Sequence, residues 1–274
     1  TPIPRTLRLA LYTDLAVSTL KKPLAGRRPV ITRIIAAAER QEFYQRLPNI
    51  NPPPTTATSS SGTYSVLYKS LFDAGFSEIV SIHASSLLSG IYNAASAAAQ
   101  IFGGRVRVID SQQISLGLGF QVLEIAEQLS KGIQTETILA QLTAFRERVH
   151  VVAMLDTLEY VRRSGRVSWA RAQIGELLQI KPFLEVKNGA ILRYGETRTR
   201  QKGLERLRRV VNDFGRLERL AILHTNAEAE AREFLASLNA DVRLQPLIVN
   251  ITTIVGVHVG PNALGVAAVQ QITK

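Results

Sequence analysis

The chain of 274 residues is long enough for two modest domains or one large one, and its 46% hydrophobic content is typical of a globular protein. The lack of cysteine excludes disulfide bonds, thiolate nucleophiles and cysteine-based zinc sites, and it fits a cytoplasmic protein. The formal net charge of +11 leaves four explanations open: nucleic acid, an anionic membrane, an acidic protein partner, or solvated surface charge.

The hydropathy pattern of the given sequence indicates neither a transmembrane helix nor a signal peptide. The chain has no run of about 18 uncharged apolar residues, so we expect no transmembrane helix. Its first residues, Thr1-Pro2-Ile3-Pro4-Arg5, lack the charged head and apolar centre of a signal peptide.

The first elements are a short buried strand at 8–13 and a helix over 34–46, separated by a basic stretch. The prolines near residue 52 then enforce a loop, which leads into the hydroxyl-rich run 55–61. An amphipathic helix is predicted over 63–74, with Val66, Leu67, Ser70 and Leu71 on one face.

From residue 78 the pattern becomes regular. Strands alternate with helices, and the predicted strands are 78–82, 105–109 and 151–155, while the predicted helices are 91–102, 118–129 and 135–148. This alternation predicts a mostly parallel α/β sheet, whose functional loops follow the carboxyl ends of the strands.

After Asp156 the pattern is mixed. Asn188-Gly189 predicts a type I′ hairpin between strands 182–186 and 190–194. The remaining segments are helices at 158–161, 170–178, 203–213 and 227–238, and strands at 220–224, 241–247 and 265–269. We therefore predict two domains, an N-terminal α/β domain (1–156) and a C-terminal mixed α/β domain (157–274).

Two loops are rich in hydroxyls, namely 55–61 and the segment that carries Ser85, Ser86 and Ser89. The second loop precedes a helix, whose free N–H groups and positive dipole end suit a carboxylate or a phosphate. Ordinary helix capping by spare serines explains the same pattern.

His258 lies in a Gly-rich stretch between apolar segments, where a ligand can approach closely, although a lone histidine is also a common structural residue. The histidines are too dispersed to predict a metal site, and we recognise no nucleotide-binding motif or serine-hydrolase elbow. We therefore expect no cofactor, no metal and no stand-alone enzyme.

A basic run over 193–209 includes Arg200 and Lys202. It predicts either a solvated face or a surface that docks an acidic partner or phospholipid head groups. Nucleic acid is not expected, because aromatic residues make up 6% of the chain and no recognition motif is visible.

Several motifs resemble the DegV family. Segment 82–92 is similar to its Ser-Ser-x-Leu-Ser-Gly-Thr-Tyr motif, and segment 156–167 is similar to its Asp-Thr-Leu-Glu-Tyr motif, which ends in Gly-Arg-Ile. Segment 198–202 and the His258-Val259-Gly260-Pro261 stretch also fit. The likeness extends from about residue 42 to the end of the chain.

The resemblance implies a two-domain fold that encloses one long-chain fatty acid, such as palmitate or oleate, in an apolar tunnel between the domains. It also implies a carrier that presents the acid to a separate ATP-dependent fatty acid kinase subunit. The basic run over 193–209 adds the expectation of transient contact with an anionic membrane. The residues that it nominates for the carboxylate are Thr56, Thr58, Ser85, Ser86, Ser89 and His258, and those for the head group or partner are Arg166, Arg200 and Lys202.

The first loop departs from the family pattern. Ala57 stands where the family has Ser, and Thr58 and Ser59 replace Gln-Pro. The alternative function is an α/β hydrolase or acyltransferase that uses Ser89 and His258, which would need a third residue to orient the histidine.

Overall fold

The computed structural model describes residues 40–171 and 180–272 of the chain. The predicted strand at 8–13, the basic stretch after it, the start of helix 34–46 and the end of helix 170–178 lie outside the described residues.

The first part of the described chain is built on two parallel strands. Its elements are α1 (Arg40–Arg46), α2 (Ser61–Asp73), β1 (Ile79–His83), α3 (Ile91–Ala99) and β2 (Val106–Asp110). β1 and β2 pair in parallel, and α3 provides the crossover that a parallel pair requires. The strand–helix–strand unit predicted for 78–109 is therefore confirmed.

Helix α2 packs mainly through its tyrosines, and of the face predicted from hydrophobic spacing Leu71 packs inward while Val66 does not. Tyr64 and Tyr68 are buried in a cluster that includes Ala95, whereas Val66 is 71% exposed. The Tyr68 hydroxyl also forms a hydrogen bond with Ser81 Oγ at 2.8 Å. A tyrosine buries more apolar surface than a valine and keeps a polar end that needs a partner, so the two rings decide which face turns inward.

The second part is longer and contains most of the strands. Its elements are α4 (Ser115–Ser130), α5 (Thr135–Glu147), β3 (Val149–Met154), α6 (Glu159–Ser164), α7 (Ser168–Arg171), β4 (Lys181–Lys187), β5 (Ala190–Thr197), α8 (Arg200–Asp213), β6 (Leu217–His224), α9 (Glu228–Ala236), β7 (Leu247–Asn250), α10 (Thr253–Val259) and β8 (Leu264–Gln270).

Six of these strands form one mixed sheet in the order β5-β4-β3-β8-β6-β7. β6 and β7 pair in parallel, and the other neighbours pair antiparallel. β3 lies at the middle of this sheet, although it precedes residue 156, where we predicted the domain boundary. The division at that residue stays a prediction.

Alternation along β3 separates two apolar clusters on opposite faces of the sheet. Val149 and Val151 belong to a cluster with side chains of α4 and α5, whereas Val152 and Met154 belong to one with side chains of α8 and α9. Because successive side chains of a strand point to opposite faces, one strand contributes to both cores. Burying one such side chain stabilises the fold by about 1.5–3 kcal/mol before entropy is counted.

The β4–β5 hairpin has the predicted turn. Asn188 and Gly189 both have positive φ angles, of 50° and 79°, as a type I′ turn requires. Lys187 pairs with Ala190 directly beside the turn, so the hairpin register is the one that the Asn-Gly pair predicts.

The predictions for segments 241–247 and 256–265 need correction. The strand predicted at 241–247 is wrong, because Pro246 lacks an N–H and β7 begins after it, at Leu247. The stretch predicted as a Gly-rich loop begins inside the short helix α10, which ends at Val259. In the described part of the chain, we find no helix that is long and apolar enough to cross a membrane.

Candidate functional site

The first hydroxyl-rich loop meets α10 through one hydrogen bond. Thr56 Oγ1 lies 2.9 Å from His258 Nε2, although the two residues are 202 positions apart. Thr56 is half-buried, and the three prolines before it restrict the path of the loop. The fold thus brings together two of the residues predicted for the head group.

His258 sits on the last turn of α10, at the border of the apolar interior. Val255 of the same helix packs against the cluster that involves α4 and α5, and Val259 packs against a second cluster with Leu155 and Ala263. Burial, and secondarily the charge of Arg166, lower the pKa of His258 to about 4. The imidazole is therefore neutral at physiological pH.

The other ring nitrogen of His258 is unused. His258 Nδ1 is buried and has no hydrogen-bond partner among the described residues. A buried polar atom without a partner is costly, and a ligand or a water molecule is the usual remedy. The nitrogen therefore marks a place where a polar ligand group can bind.

Two glycines allow the surrounding helices to approach α10. A Cβ atom on Gly256 would lie 2.1 Å from the Tyr44 hydroxyl, and one on Gly260 would lie 2.4 Å from the Tyr160 ring. The Tyr44 hydroxyl donates a hydrogen bond to the Ile251 carbonyl at 3.0 Å, just before α10 begins. α1 and α6 therefore hold the helix that carries His258 at both of its ends.

The serines of the second loop differ in how far their hydroxyls are engaged. Ser85 is fully buried, and its Oγ donates to the Gly189 carbonyl at 2.6 Å. Ser86 Oγ donates to Asp110 Oδ2 at 2.5 Å. Ser89 Oγ accepts from the N–H of Ile91 at 3.3 Å, and we find no acceptor for its proton among the described residues.

The first loop also contacts the start of α3 through Thr58. Thr58 is exposed, and its Oγ1 lies 3.5 Å from the position that a Cβ atom on Gly90 would occupy. Thr58 is therefore next to the loop that carries Ser89. Ser59, which sequence reasoning did not nominate, is 9% exposed and is the buried hydroxyl of this run.

Arg166 and Arg200 are held in different ways. Arg166 is exposed, and its guanidinium donates to the Ser164 carbonyl at 2.7 Å. Arg200 is 24% exposed, forms a two-point ion pair with Glu230 and donates to the Asn262 carbonyl at 2.6 Å. Arg200 is therefore engaged within the protein and presents little free charge.

Lys202 lies on the open surface of α8. It is exposed and forms no ion pair with a described residue. It lines a groove of about 460 Å³ between β5 and α8, together with other side chains that include Tyr194, Arg206 and Arg209. Of the three cations nominated for a partner, Lys202 is the one with an unengaged charge on an open groove.

The hydrolase alternative lacks its third residue. Within the described residues, His258 bonds Thr56 rather than Ser89, and no carboxylate orients its ring. In the same part of the chain, we find no cluster of three or more histidine or acidic side chains that could hold a metal ion.

Similarity to known proteins decides the family. The family described as "Uncharacterised protein, DegV family" matches residues 32–271 of the chain. The chain belongs to the DegV family. A DegV domain-containing protein of Deinococcus radiodurans is 36% identical over 219 residues, which cover 78% of this chain and 77% of that protein.

Solved DegV structures share the fold. A fatty-acid-binding DegV family protein from Thermus thermophilus has a TM-score of 0.77 and 31% identity, over 85% of this chain and 84% of that one. DegV of Bacillus subtilis, a fatty-acid-binding protein, has a TM-score of 0.71 and 30% identity, over 84% of both chains. The DegV-like α/β fold that the sequence predicted is confirmed, and both of these relatives bind fatty acid.

Proposed function

We propose that this DegV protein binds one long-chain fatty acid, such as palmitate or oleate, and holds its carboxylate at Thr56 and His258. The contact between Thr56 Oγ1 and His258 Nε2 at 2.9 Å carries the proposal, together with the unpartnered His258 Nδ1. A buried carboxylate needs donors, and the neutral Thr56–His258 pair keeps one for the ligand, because its mutual hydrogen bond uses the other of its two protons. Arg166 adds a positive charge that already acts on His258.

The remaining hydroxyls form two groups in this proposal. Ser89 and Thr58 complete the carboxylate site, because the Ser89 proton is not engaged and Thr58 lies beside Gly90. Ser85 and Ser86 hold the loop in shape, because their hydroxyls already bond Gly189 and Asp110. The helix start at Ile91 contributes free N–H groups.

The acyl chain occupies an apolar tunnel between the two domains in this proposal. The location of His258 between two apolar clusters supports it, because the tail can then continue into the interior behind the head group. At about 0.8 kcal/mol for each buried methylene, a C16 tail contributes on the order of 10 kcal/mol before ordering costs. We therefore expect the acid to stay bound through purification.

The test is to extract the denatured protein with organic solvent and to measure fatty acids by mass spectrometry against a mock purification. We expect about one fatty acid per protein. Thr56→Val should lower the affinity for palmitate and oleate about tenfold, the equivalent of one charge-assisted hydrogen bond. Thr56→Ser should restore it, and Thr143→Val, at an exposed position of α5, is the matched control. A blank extract that persists after incubation with both acids would refute the proposal.

We also propose a cytoplasmic role in which the carrier presents the acid to a separate kinase subunit that holds ATP. A carboxylate oxygen of the bound acid attacks the terminal phosphorus of ATP, which gives an acyl phosphate and ADP. The surface beside α8 is the proposed docking face, because Lys202 is exposed there and its charge is not engaged by a described residue.

Charge reversal distinguishes the docking role from lipid binding. Lys202→Glu should weaken the transfer of phosphate to the bound acid, because an acidic partner would then meet a like charge, and lipid content should not change. Lys131→Glu, which follows α4 and is also exposed, is the control for net charge. The measurement is acyl phosphate formation with purified kinase, beside mass spectrometry of the bound acid. Equal loss of transfer and lipid would contradict this division of roles.

A further inference from the structure

The segment 260–263 joins His258 and its helix to β8 by a sharp reversal of the chain. Gly260 and Asn262 have positive φ angles of 79° and 59°, and neither conformation is favoured by most side chains. α10 has seven residues, and a helix of that length has little stability of its own. The position of the His258 ring therefore depends on what holds this segment.

Thr225 holds the segment from the inner side. It follows directly on β6 and is 1% exposed. Its main-chain N–H donates to the Ala263 carbonyl at 3.0 Å, and its carbonyl accepts from the Asn262 N–H at 2.8 Å. Its side chain forms two more, because Oγ1 donates to the Gly260 carbonyl at 2.7 Å and accepts from the Ala263 N–H at 2.8 Å. The hydroxyl thus spans both ends of the reversal.

Arg200 holds the same segment from the outer side. Its NH1 donates to the Asn262 carbonyl at 2.6 Å, and its Nε donates to Glu230 Oε1 at 3.0 Å. Asp156 Oδ1 lies 4.0 Å from the same guanidinium. The segment after His258 is therefore fixed between the end of β6 and the start of α8.

We propose that Thr225 is a positioning residue for His258, and that Arg200 fastens the same segment from outside. Together they keep the imidazole at bonding distance from Thr56. This inference rests on the proposed fatty-acid site, since it describes how that site is kept in shape. The physical reason is that a displacement of about 1 Å is enough to break the geometry of a binding site, and these directional hydrogen bonds add to the packing of Tyr160 against Gly260 at the same end of α10.

The test compares Thr225→Val, which keeps the shape and removes the hydroxyl, with Thr225→Ser, which restores it. The readouts are the ring ¹⁵N and ¹³C signals of His258 in the unliganded protein, and the affinity for palmitate. We expect Thr225→Val to shift the ring signals and to lower the affinity about tenfold, and Thr225→Ser to return both toward the original values.

Thr135→Val is the matched control, because Thr135 is also a buried threonine and its Oγ1 bonds Glu78 at 2.9 Å in a different part of the fold. We expect it to lower stability without moving the His258 signals. If Thr225→Val does not fold, Arg200→Lys, which keeps the charge and removes the forked contact, should shift the same signals to a smaller extent.

Unchanged His258 signals in the folded Thr225→Val or Arg200→Lys protein would overturn the inference, whatever happens to stability. An affinity loss in Thr225→Val with unmoved ring signals would overturn it as well. If the unaltered protein binds neither palmitate nor oleate, the proposed function fails, and the ring signals of the unliganded variants still decide the positioning role.

Discussion

At the scale of single residues, the role of a hydroxyl depends on whether its hydrogen-bonding capacity is already used. Ser85 donates to Gly189 and accepts from the N–H of Leu87, so it can give little to a ligand without breaking the loop. Ser89 accepts one bond and keeps its proton, while Thr56 faces an imidazole that has a second, unpartnered nitrogen. These differences separate ligand contacts from structural contacts within one serine-rich sequence.

The pKa of His258 predicts how pH affects binding. Burial lowers it to about 4 in the free protein, and a bound anion should raise it, because an opposite charge favours the protonated imidazole. The complex then takes up protons more readily than the free protein, so affinity should rise as the pH falls below neutral and should level off below the pKa of the free protein. Titration calorimetry with a long-chain alkyl sulfonate, whose head group stays ionised, measures this.

His258→Gln is the control for this titration, because glutamine keeps a donor and does not ionise. We expect the rise in affinity at lower pH to disappear in this variant. An affinity that is independent of pH in the unaltered protein, or the same slope in His258→Gln, would contradict the assignment of His258 to the head group.

At the scale of elements, α10 is a helix because its neighbours require one. Its β-branched residues and central Gly256 predict a strand or a loop. Each of these residues disfavours a helix by about 0.5–1 kcal/mol relative to alanine. Gly256 nevertheless lets the Tyr44 hydroxyl lie against the helix and reach the Ile251 and Thr252 carbonyls. Packing against α1 and α6 thus overrides local propensity.

Gly256→Ala tests this account of α10. The new methyl group would lie 2.1 Å from the Tyr44 hydroxyl, so Tyr44 or the helix must move. We expect a loss of about 1–3 kcal/mol in the free energy of unfolding, despite the higher helix propensity of alanine. Urea unfolding followed by circular dichroism measures it.

Gly62→Ala is the matched control for this substitution. Gly62 is also helical, but the nearest atom to its added methyl group, Ser60 Oγ, is 3.7 Å away. We expect this variant to be as stable as the unaltered protein or more so. If both variants behave alike, the close approach of Tyr44 does not explain α10.

At the scale of the whole molecule, the central position of β3 ties the two halves of the chain together. β3 pairs with β4 along one edge and with β8 along the other, and its side chains enter both apolar clusters of the sheet. A cut after residue 156 would remove this strand from the sheet and leave the edges of β4 and β8 unpaired. Unpaired strand edges favour aggregation.

Two fragments test the consequence of this arrangement. We expect residues 111–274, which retain β3 and the helices α4 and α5 that cover one face of the sheet, to unfold cooperatively in urea with a defined transition. We expect residues 157–274, which lack β3, to aggregate or to show no cooperative transition, because the central strand and part of both cores are missing. If the shorter fragment is as stable as the longer one, β3 is not required for the fold of the second half.

The sequence by itself determined the order of most elements, the Asn188-Gly189 turn and the family, because these depend on local periodicity, turn chemistry and recurring motifs. The tertiary structure decided the rest, namely that β3 completes a sheet built from later strands, that α2 buries its tyrosines, and that Arg200 is engaged with Glu230. It also decided that Thr56 meets His258 and that Thr225 fastens the segment after it. Contacts between distant residues depend on how whole elements pack, and the spacing of residues along the chain does not specify that packing.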